Sequence, residues 1–312
     1  MNFYTMEYFT VLARERSFTK AAEKLHITQQ SLSSHIASLE KELDCQLVIR
    51  RIPLGLTYAG EVFLQYAEKY CQTQMTLLRE FNDISHNQKG LLRIGAASAR
   101  GRSILPPVIS KFQQDYPNIR IDLTEGSNDT LCQLLRQGEL DLAIGDFPDN
   151  IPDICLRDFY LENTALYISR ALFQSTYSEK AIYYEEQFSA GDFSALKSCP
   201  LVLGGSEDID GRIAITVLKN AGIKDPIIRA VSHNVGMLLS LCAHSIGACF
   251  CPENLAGTLL SDSQQAELLT FHLGNEAKKL IRFGFQSQSY QWSVIEAFMN
   301  CAKNKSPGLF PE

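Results

Sequence analysis

The sequence lacks any long apolar run and any basic segment that leads into one. A membrane-spanning helix needs about 18 consecutive apolar residues, and no stretch of the 312 residues approaches that length. A secretory leader starts with a basic segment followed by an apolar one, whereas this chain begins MNFYTMEYFTVLARER. We therefore expect a cytoplasmic protein with no membrane partner.

Motifs for catalysis and metal binding are also missing. The sequence contains no G-x-S-x-G, no G-x-x-x-x-G-K-[ST] and no H-E-x-x-H, and its six histidines are dispersed. Its nine cysteines are odd in number and form no C-x-x-C pair, a pattern that favours reduced thiols over a disulfide framework. We predict that the protein is not an enzyme and that it holds no metal and no cofactor.

An excess of basic charge is absent as well, which at first argues against a nucleic-acid-binding protein. The chain has 29 Lys and Arg against 35 Asp and Glu, a net charge of −6. The acidic excess lies in residues 90–312, with 19 basic against 25 acidic side chains, because residues 1–89 hold ten of each. The two parts are therefore expected to meet different partners. At roughly 100 to 200 residues per domain, the chain has room for two or three domains.

The first part of the sequence has the pattern of short helices joined by tight turns. Ser17 and Thr28 each precede a helical stretch and are suited to be its N-cap. Apolar residues recur at helical spacing in three stretches, namely Met6, Phe9, Leu12 and Ala13; Phe18, Ala21, Ala22 and Leu25; and Leu32, Ile36, Leu39 and Leu43. Two short helices with a tight connection form a helix-turn-helix, whose second helix enters the major groove of DNA.

Polar and basic residues lie where such a DNA reader needs them. The third helix offers side chains that can donate to and accept from base edges, namely Gln29, Gln30, Ser33, Ser34 and His35. Four cations are placed to meet phosphates, which position a protein without specifying sequence; they are Lys20, Lys24, Arg50 and Arg51. Helix spacing alone leaves open the alternative that these residues form a solvated helix face in some other fold.

The run MEYFTVLARERSFTKAAEKLHITQQSLSSHIASLEKELDCQLVIR, followed by LTYAGEVFLQYA, resembles the N-terminal signature of LysR-type transcriptional regulators. The shared elements are S-F-T-x-A-A-x-x-L, Q-x-x-L-S-x-x-I, L-E-x-x-L and L-T-x-A-G, and the likeness continues over most of the chain. Gln29, Ser33 and Arg50 match family positions that contact DNA. The resemblance therefore implies a winged helix-turn-helix over residues 1–58.

This sequence departs from the family pattern at several positions. Gln30 stands where a proline is usual, Ser34 where Arg or Lys is common, and Val48 where the family has Phe. The wing segment RRIPLG is shorter than is typical. The missing cation at position 34 is expected to lower DNA affinity or to change the preferred operator.

A long helix is predicted after Thr57, which can cap it, as far as about Gln88. Its apolar stripe consists of Phe63, Tyr66, Tyr70, Leu77, Phe81 and Ile84. The stripe could pack on its own domain, but a helix of about thirty residues is too long for so small a domain, which favours pairing with a second copy. The resemblance implies that this linker helix, residues 59–89, dimerises and places two recognition helices on a pseudo-palindromic site.

From Leu91 the pattern changes to short β-prone runs, such as LLRIGAA, IRIDLTEG and PLVLGG, that alternate with helical stretches. This alternation predicts mostly parallel sheets with helices on both faces. The resemblance implies an effector-binding domain over residues 90–312 with two lobes like those of periplasmic solute-binding proteins. Lobe I would hold about 90–163 and 266–312, and lobe II about 164–265. The fold class is therefore predicted to be α/β.

Ligands in such sheets bind beyond the carboxyl ends of strands, often at helix N-termini. The candidates for effector binding at these positions are Ser98, Arg100, Arg102, Ser127, Asn128, Gly204, Gly205, His233 and Asn234. An arginine could pair bidentately with an effector carboxylate. Two other roles stay open, because Ser127 and Asn128 can simply cap a helix and the arginines can be solvated.

The expected partners are promoter DNA, a small-molecule effector, further copies of the chain in a homodimer or homotetramer, and RNA polymerase. A competing hypothesis is a two-lobed solute binder or enzyme whose first ninety residues only oligomerise; the first would need an export signal and the second convergent titratable groups. Some members of the resembling family sense peroxide through a cysteine pair, so a redox role for Cys199 with another thiol stays open, although the flanks KSCPLVLG do not match that pair.

Overall fold

The computed structural model describes residues 3–85, 89–274, 277–287 and 290–305. The chain forms two compact units, of which the first is Met1–Asn87 with Ser289–Trp292 and the second is Gln88–Gln288 with Ser293–Glu312. Within the described ranges, no helix is long and apolar enough to cross a membrane.

The first unit is built from helices and a two-stranded wing. Its elements are α1 (Phe3–Glu15), α2 (Phe18–Lys24), α3 (Gln29–Glu42), β1 (Val48–Ile49), β2 (Gly55–Leu56) and α4 (Tyr58–Ile84). The three predicted N-caps are confirmed, because each hydroxyl oxygen accepts from a backbone N–H three residues further on: Ser17 from Lys20, Thr28 from Ser31 and Thr57 from Gly60.

The predicted apolar positions of α1, α2 and α3 form one core with the start of α4. Phe9, Leu32 and Ile36 are fully buried in it, and the Phe9 ring meets Phe63 of α4 edge to face at 4.9 Å between centroids. The prediction for Leu43 is wrong, since this side chain is 38% exposed. The helix ends at Glu42 and Leu43 is its C-cap, so it leaves the buried stripe where the helical period stops.

The apolar stripe of α4 is buried at its start and exposed further along the helix. Phe63 is buried against its own domain, whereas Tyr66, Leu77, Phe81 and Ile84 are 67%, 51%, 61% and 68% exposed. The helix is described to Ile84, and the predicted end near residue 88 lies outside the described residues. The single chain therefore covers the first turns of the stripe and leaves the remainder to solvent.

The second unit combines a mixed sheet, a small parallel sheet and helices. Its strands are β3 (Gly90–Ala96), β4 (Ile119–Glu125), β5 (Leu142–Gly145), β6 (Ile154–Ser169), β7 (Leu201–Leu203), β8 (Ile228–Val231), β9 (Cys249–Pro252), β10 (Leu268–His272) and β11 (Lys278–Gln286). Its helices are α5 (Ser98–Asp115), α6 (Asn128–Arg136), α7 (Arg170–Tyr177), α8 (Ala181–Ser189), α9 (Ile209–Asn220), α10 (Val235–Ala243), α11 (Glu253–Leu259), α12 (Asp262–Ala266) and α13 (Ser293–Lys305).

The prediction of mostly parallel sheets is wrong. β3 pairs in parallel with β4 and β5, and β7 with β8, but the remaining described strand pairs are antiparallel. The antiparallel ladder between β6 and β11 was missed because charged residues interrupt the apolar pattern of both strands. Two of them, Asp158 and Arg282, face each other across the ladder and form an ion pair at 3.1 Å.

The long strand β6 connects the two lobes. It pairs with β11 up to Asn163, with β9 from Thr164 and with β10 from Ala165, so the strand changes partners at the predicted division between residues 163 and 164. The predicted return to lobe I at residue 266 comes too early, because β10 pairs with the second part of β6 and its Leu269 and Phe271 pack in the core of lobe II. In lobe II, the segment near 176–191 folds into α8, whose Phe188 is fully buried in that core.

Candidate DNA-reading surface and effector cleft

The exposed face of α3 carries the side chains predicted to read bases. Gln29, Gln30 and Ser34 are exposed, and Ser33 is half-buried beside the core residue Leu32. His35 is exposed but its ring meets Tyr8 of α1 edge to face, with 5.1 Å between centroids. The first two turns of α3 therefore present exposed amides and an exposed hydroxyl beside the half-buried Ser33, while the imidazole lies on the flank of the helix next to α1.

The four cations predicted to bind phosphate differ in their exposure and in whether an acidic side chain pairs with them. Lys20 and Arg51 are exposed. Lys24 is held by Glu15 through an ion pair of 2.8 Å, which lowers the pKa of the Glu15 carboxyl. Because such an exposed pair contributes little energy, Lys24 can exchange Glu15 for a phosphate at small cost.

Arg50 lies at the start of the wing, where Glu40 makes several polar contacts. The Glu40 carboxylate accepts hydrogen bonds from the backbone N–H groups of Leu47 at 2.8 Å and Val48 at 3.1 Å. Its second oxygen lies 3.5 Å from the Arg50 guanidinium, which also lies 5.9 Å from the Phe18 ring centroid. One carboxylate at the end of α3 thus fixes both the start of β1 and the direction of Arg50.

A cleft of about 640 Å³ opens between the two lobes of the second unit. Five of the predicted effector residues line it, namely Arg100, Ser127, Asn128, Gly204 and His233. The other four do not belong to its lining; they are Ser98, Arg102, Gly205 and Asn234. The assignment of any of these residues to effector binding stays a prediction.

Arg100 does not offer a free guanidinium. It is 5% exposed and forms a bidentate ion pair with Glu162 of β6, at 2.7 Å from Nη2 and 3.3 Å from Nε. Tyr160 donates a further hydrogen bond of 2.7 Å to the same carboxylate. Burial lowers the pKa of Arg100, but Glu162, Tyr160 and Asp210 together outweigh burial and raise this pKa. Arg100 therefore joins α5 to β6 through its ion pair with Glu162, and two of its three nitrogens are bound to that carboxylate.

The loop between β7 and α9 forms the opposite wall. Asp208, the residue before α9, accepts from the Gly205 N–H at 3.0 Å and contacts His233 Nδ1 at 2.9 Å. The hydrogen bond and the negative charge of Asp208, together with the Glu207 carboxylate, raise the pKa of His233. A Cβ on Gly205 would lie 2.3 Å from the His233 ring, and one on Gly211 would lie 1.9 Å from the Gly205 carbonyl oxygen. The glycines therefore permit a close approach of loop, helix and imidazole.

Several wall residues were not predicted from the sequence. Asp129, Arg136, Asp208, Asp210 and Arg212 all line the cleft. Asp208 could have been found, because an Asp directly before a helical stretch is a typical N-cap. Arg212 is held by Asp146 at 3.3 Å, a pairing across 66 residues that no local pattern indicates.

Ser127 and Asn128 take different roles at the start of α6. Ser127 caps the helix, accepting from the Thr130 N–H at 3.3 Å. Asn128 lines the cleft, and its Oδ1 is buried without a hydrogen-bond partner among the described residues. A buried polar atom without a partner carries a free-energy cost, which a ligand or an ordered water could relieve.

The thiols of lobe II lie in its core. Cys199, Cys242, Cys249 and Cys251 are fully buried, and burial raises the pKa of Cys199 to about 12. Reactive thiols need a stabilised thiolate and access to solvent. These four side chains therefore have the properties of small apolar core residues.

Two family descriptions match the chain. Residues 3–61 match the bacterial regulatory helix-turn-helix protein of the lysR family, and residues 85–306 match the LysR substrate binding domain. A relative in Bacillus subtilis (strain 168), the uncharacterised HTH-type transcriptional regulator YcgK, is 25% identical over 320 residues, 100% of this chain and 97% of that protein. The HTH-type transcriptional activator IlvY of Haemophilus influenzae is 33% identical over 153 residues, 49% of this chain and 52% of the relative.

Solved structures share the fold at low sequence identity. Full-length CbnR complexed with its target DNA superposes with a TM-score of 0.62 at 20% identity, covering 98% of this chain and 100% of that chain. A variant of full-length OxyR from Pseudomonas aeruginosa superposes with a TM-score of 0.72 at 20% identity, covering 97% of this chain and 95% of that chain.

Proposed function

The chain belongs to the LysR family of DNA-binding transcriptional regulators, and from that premise we propose that it reads an operator with α3 and responds to a small effector bound between the lobes of its second unit. Gln29 and Ser33 would contact bases. Lys20, Lys24, Arg50 and Arg51 would contact phosphates. The observation that carries the DNA-reading assignment is the row formed by the exposed Gln29, Gln30 and Ser34 and the half-buried Ser33 on the first two turns of α3.

The exposed half of the α4 stripe supports assembly of two or four chains. Several large apolar side chains in a row are costly to leave in water, and each is worth roughly 1.5 to 3 kcal/mol when fully buried. A second copy of α4 would cover this stripe and place two α3 helices on one DNA site. Dimer and tetramer both fit this requirement.

The regulatory step proposed is a shift between pre-existing lobe arrangements. An effector that binds one arrangement more tightly moves the equilibrium by its differential affinity. The cleft between the lobes supports binding at this place, and its wall includes Asn128, whose buried Oδ1 has no hydrogen-bond partner within the described part of the chain. We further propose that the bound dimer signals to RNA polymerase and that the protein works in the cytoplasm, where its DNA lies.

Footprinting of the full chain on the DNA upstream of its own gene tests this function. Two protected half-sites whose centres lie one helical turn, about 34 to 36 Å, or a multiple of it apart are expected for a symmetric dimer. The Ser33→Ala variant should lose protection at concentrations where Ser38→Ala, a matched change elsewhere on α3, retains it. Equal, position-independent protection by all three proteins would contradict the assignment of α3.

A further inference from the structure

Asp210 is an unusual residue to find in the wall of the cleft. It lies in the first turn of α9 and is 7% exposed, yet it belongs to the cleft lining. Thr164 donates a hydrogen bond of 3.2 Å to its Oδ1. Among the described residues this hydroxyl is the one hydrogen-bond donor to the carboxylate, and Asp210 belongs to the lining of the cleft.

The charge around Asp210 does not balance. Glu162 lies close enough to Asp210 to act on its charge, and the Glu162 carboxylate accepts hydrogen bonds from Nε and Nη2 of Arg100. The buried group of Arg100, Glu162 and Asp210 therefore has one cation for two carboxylates. A buried ionised carboxylate without a partner is strongly unfavourable, so this arrangement lacks one positive charge.

The same imbalance governs the ionisation of Asp210. Burial and the neighbouring Glu162 carboxylate raise its pKa from 3.8 to about 7, while Arg100 and the Thr164 hydrogen bond oppose the rise. The other titratable groups that face it are Asp208, which also raises this pKa, and the Cys249 and Cys251 thiols of β9. Both thiols have pKa values well above their usual range, so they are neutral.

The rest of the wall does not supply the missing cation. Arg212 is held by Asp146, and the His233 ring is held by Asp208. Arg136 is exposed in the last turn of α6, and it is not among the groups that act on the pKa of Asp210. The carboxylates of Asp129 and Glu207 add further negative charge to the lining.

We propose that the effector carries a protonated amine or amidinium group that binds Asp210 from the cleft and supplies the missing positive charge. The inference rests on the proposed effector function and names the chemical class of the ligand. The cation would form a charge-assisted hydrogen bond to the free oxygen of Asp210, while Thr164 continues to hold the other. The remainder of the ligand would lie along the wall towards Asn128.

Binding of small cations to the full chain tests the proposal directly. The probes are putrescine, agmatine, L-lysine and L-arginine, and the comparison set is succinate, glutarate and citrate, each scored by the shift in melting temperature and then by calorimetry. At least one amine is expected to bind to the wild type and to bind at least tenfold more weakly to Asp210→Asn. Asp115→Asn, which removes an exposed carboxylate at the end of α5 outside the cleft, should bind it as the wild type does.

The pH dependence gives a second, independent readout. A cation and a proton compete for Asp210, so affinity for the amine should fall by up to about tenfold per pH unit as the pH drops below 7. The probes stay protonated over this range, since a lysine side chain has a pKa of about 10.4. In Asp210→Asn this part of the pH dependence should vanish, and circular dichroism confirms that the variant is folded.

Two results would overturn the proposal. One is that none of the amines binds; the other is that binding is equal in the wild type and in Asp210→Asn. If the anions alone bind, and do so equally in both proteins, the effector is an anion and the function of the cleft stands. Footprinting of the same protein samples scores DNA reading separately, so failure of the cation inference is distinguishable from failure of the proposed regulator.

Discussion

Replacing Asp210 by Asn should stabilise the protein in a pH-dependent way. The native pKa of about 7 lies above the ordinary value of 3.8, so the native state binds a proton that the unfolded chain has released between these two pH values. The free energy of unfolding of the wild type therefore falls as the pH rises from about 4 to about 7, and is constant in this respect above 7. Asn keeps the shape and still accepts the Thr164 hydrogen bond, but carries no charge.

The magnitude follows from the two pKa values. The full difference corresponds to about 4 kcal/mol at about 1.36 kcal/mol per pKa unit. Between pH 5 and pH 8 the wild type should lose about 2 to 3 kcal/mol of its free energy of unfolding through the ionisation of Asp210. The advantage of Asp210→Asn over the wild type should grow by that amount across this range, because all other titrating groups are common to both proteins.

Urea-induced unfolding followed by circular dichroism measures this difference. Both proteins are unfolded at pH 5, 6, 7 and 8, with Asp115→Asn as the control for loss of an exposed carboxylate. The reasoning would be refuted if the advantage of Asp210→Asn were the same at every pH, or if the wild type were the more stable protein at pH 8. Either result would mean that Asp210 has a native partner for its charge.

Three further changes probe other parts of the molecule. Leu77→Glu places a charge in the exposed stripe of α4 and should shift the sedimentation of the full chain towards the monomer. Gln65→Glu, on the opposite flank of the helix, should not. Equal assembly of both variants would count against the stripe as an interface. Arg100→Met leaves the buried Glu162 carboxylate without its cation and should lower the free energy of unfolding in urea by about 3 to 5 kcal/mol. The double variant Arg100→Met with Glu162→Met should regain this stability. A loss below about 1 kcal/mol in the single variant would contradict the stabilising role of the ion pair. Glu40→Gln removes the charge that holds the start of β1, and it should increase hydrogen exchange of the Leu47 and Val48 amides, with unchanged exchange as the contrary result.

Local features of the first unit could be predicted because their causes are local. The N-caps at Ser17, Thr28 and Thr57 depend on a hydroxyl three residues before a free N–H, and the buried faces of α1 to α3 follow from apolar spacing. Leu43 marks the limit, since the apolar period continues for one residue after the helix has ended.

The cleft could be predicted in outline but not in its electrostatics. Strand ends and helix starts indicated Ser127, Asn128 and His233, all of which line it. The partner of Arg100 is Glu162, which lies 62 residues away on a strand whose charges hid it from the sequence pattern. Asp210 was missed for the same reason, because its role depends on what β6 brings beside it.

Base reading by α3 is tested most directly by the salt dependence of DNA binding. The wild type and the Gln29→Ala, Ser33→Ala, Lys20→Ala and Lys41→Ala variants are titrated onto the upstream fragment and onto a scrambled duplex at several salt concentrations. Loss of Gln29 or Ser33 should reduce the preference for the upstream fragment by about 1 to 3 kcal/mol and leave the salt slope unchanged, whereas Lys20→Ala should lower the slope by about 1 for both duplexes. Lys41→Ala is the control outside the predicted surface. A wild type with equal affinity for both duplexes, or a preference untouched by Gln29→Ala and Ser33→Ala, would contradict the account.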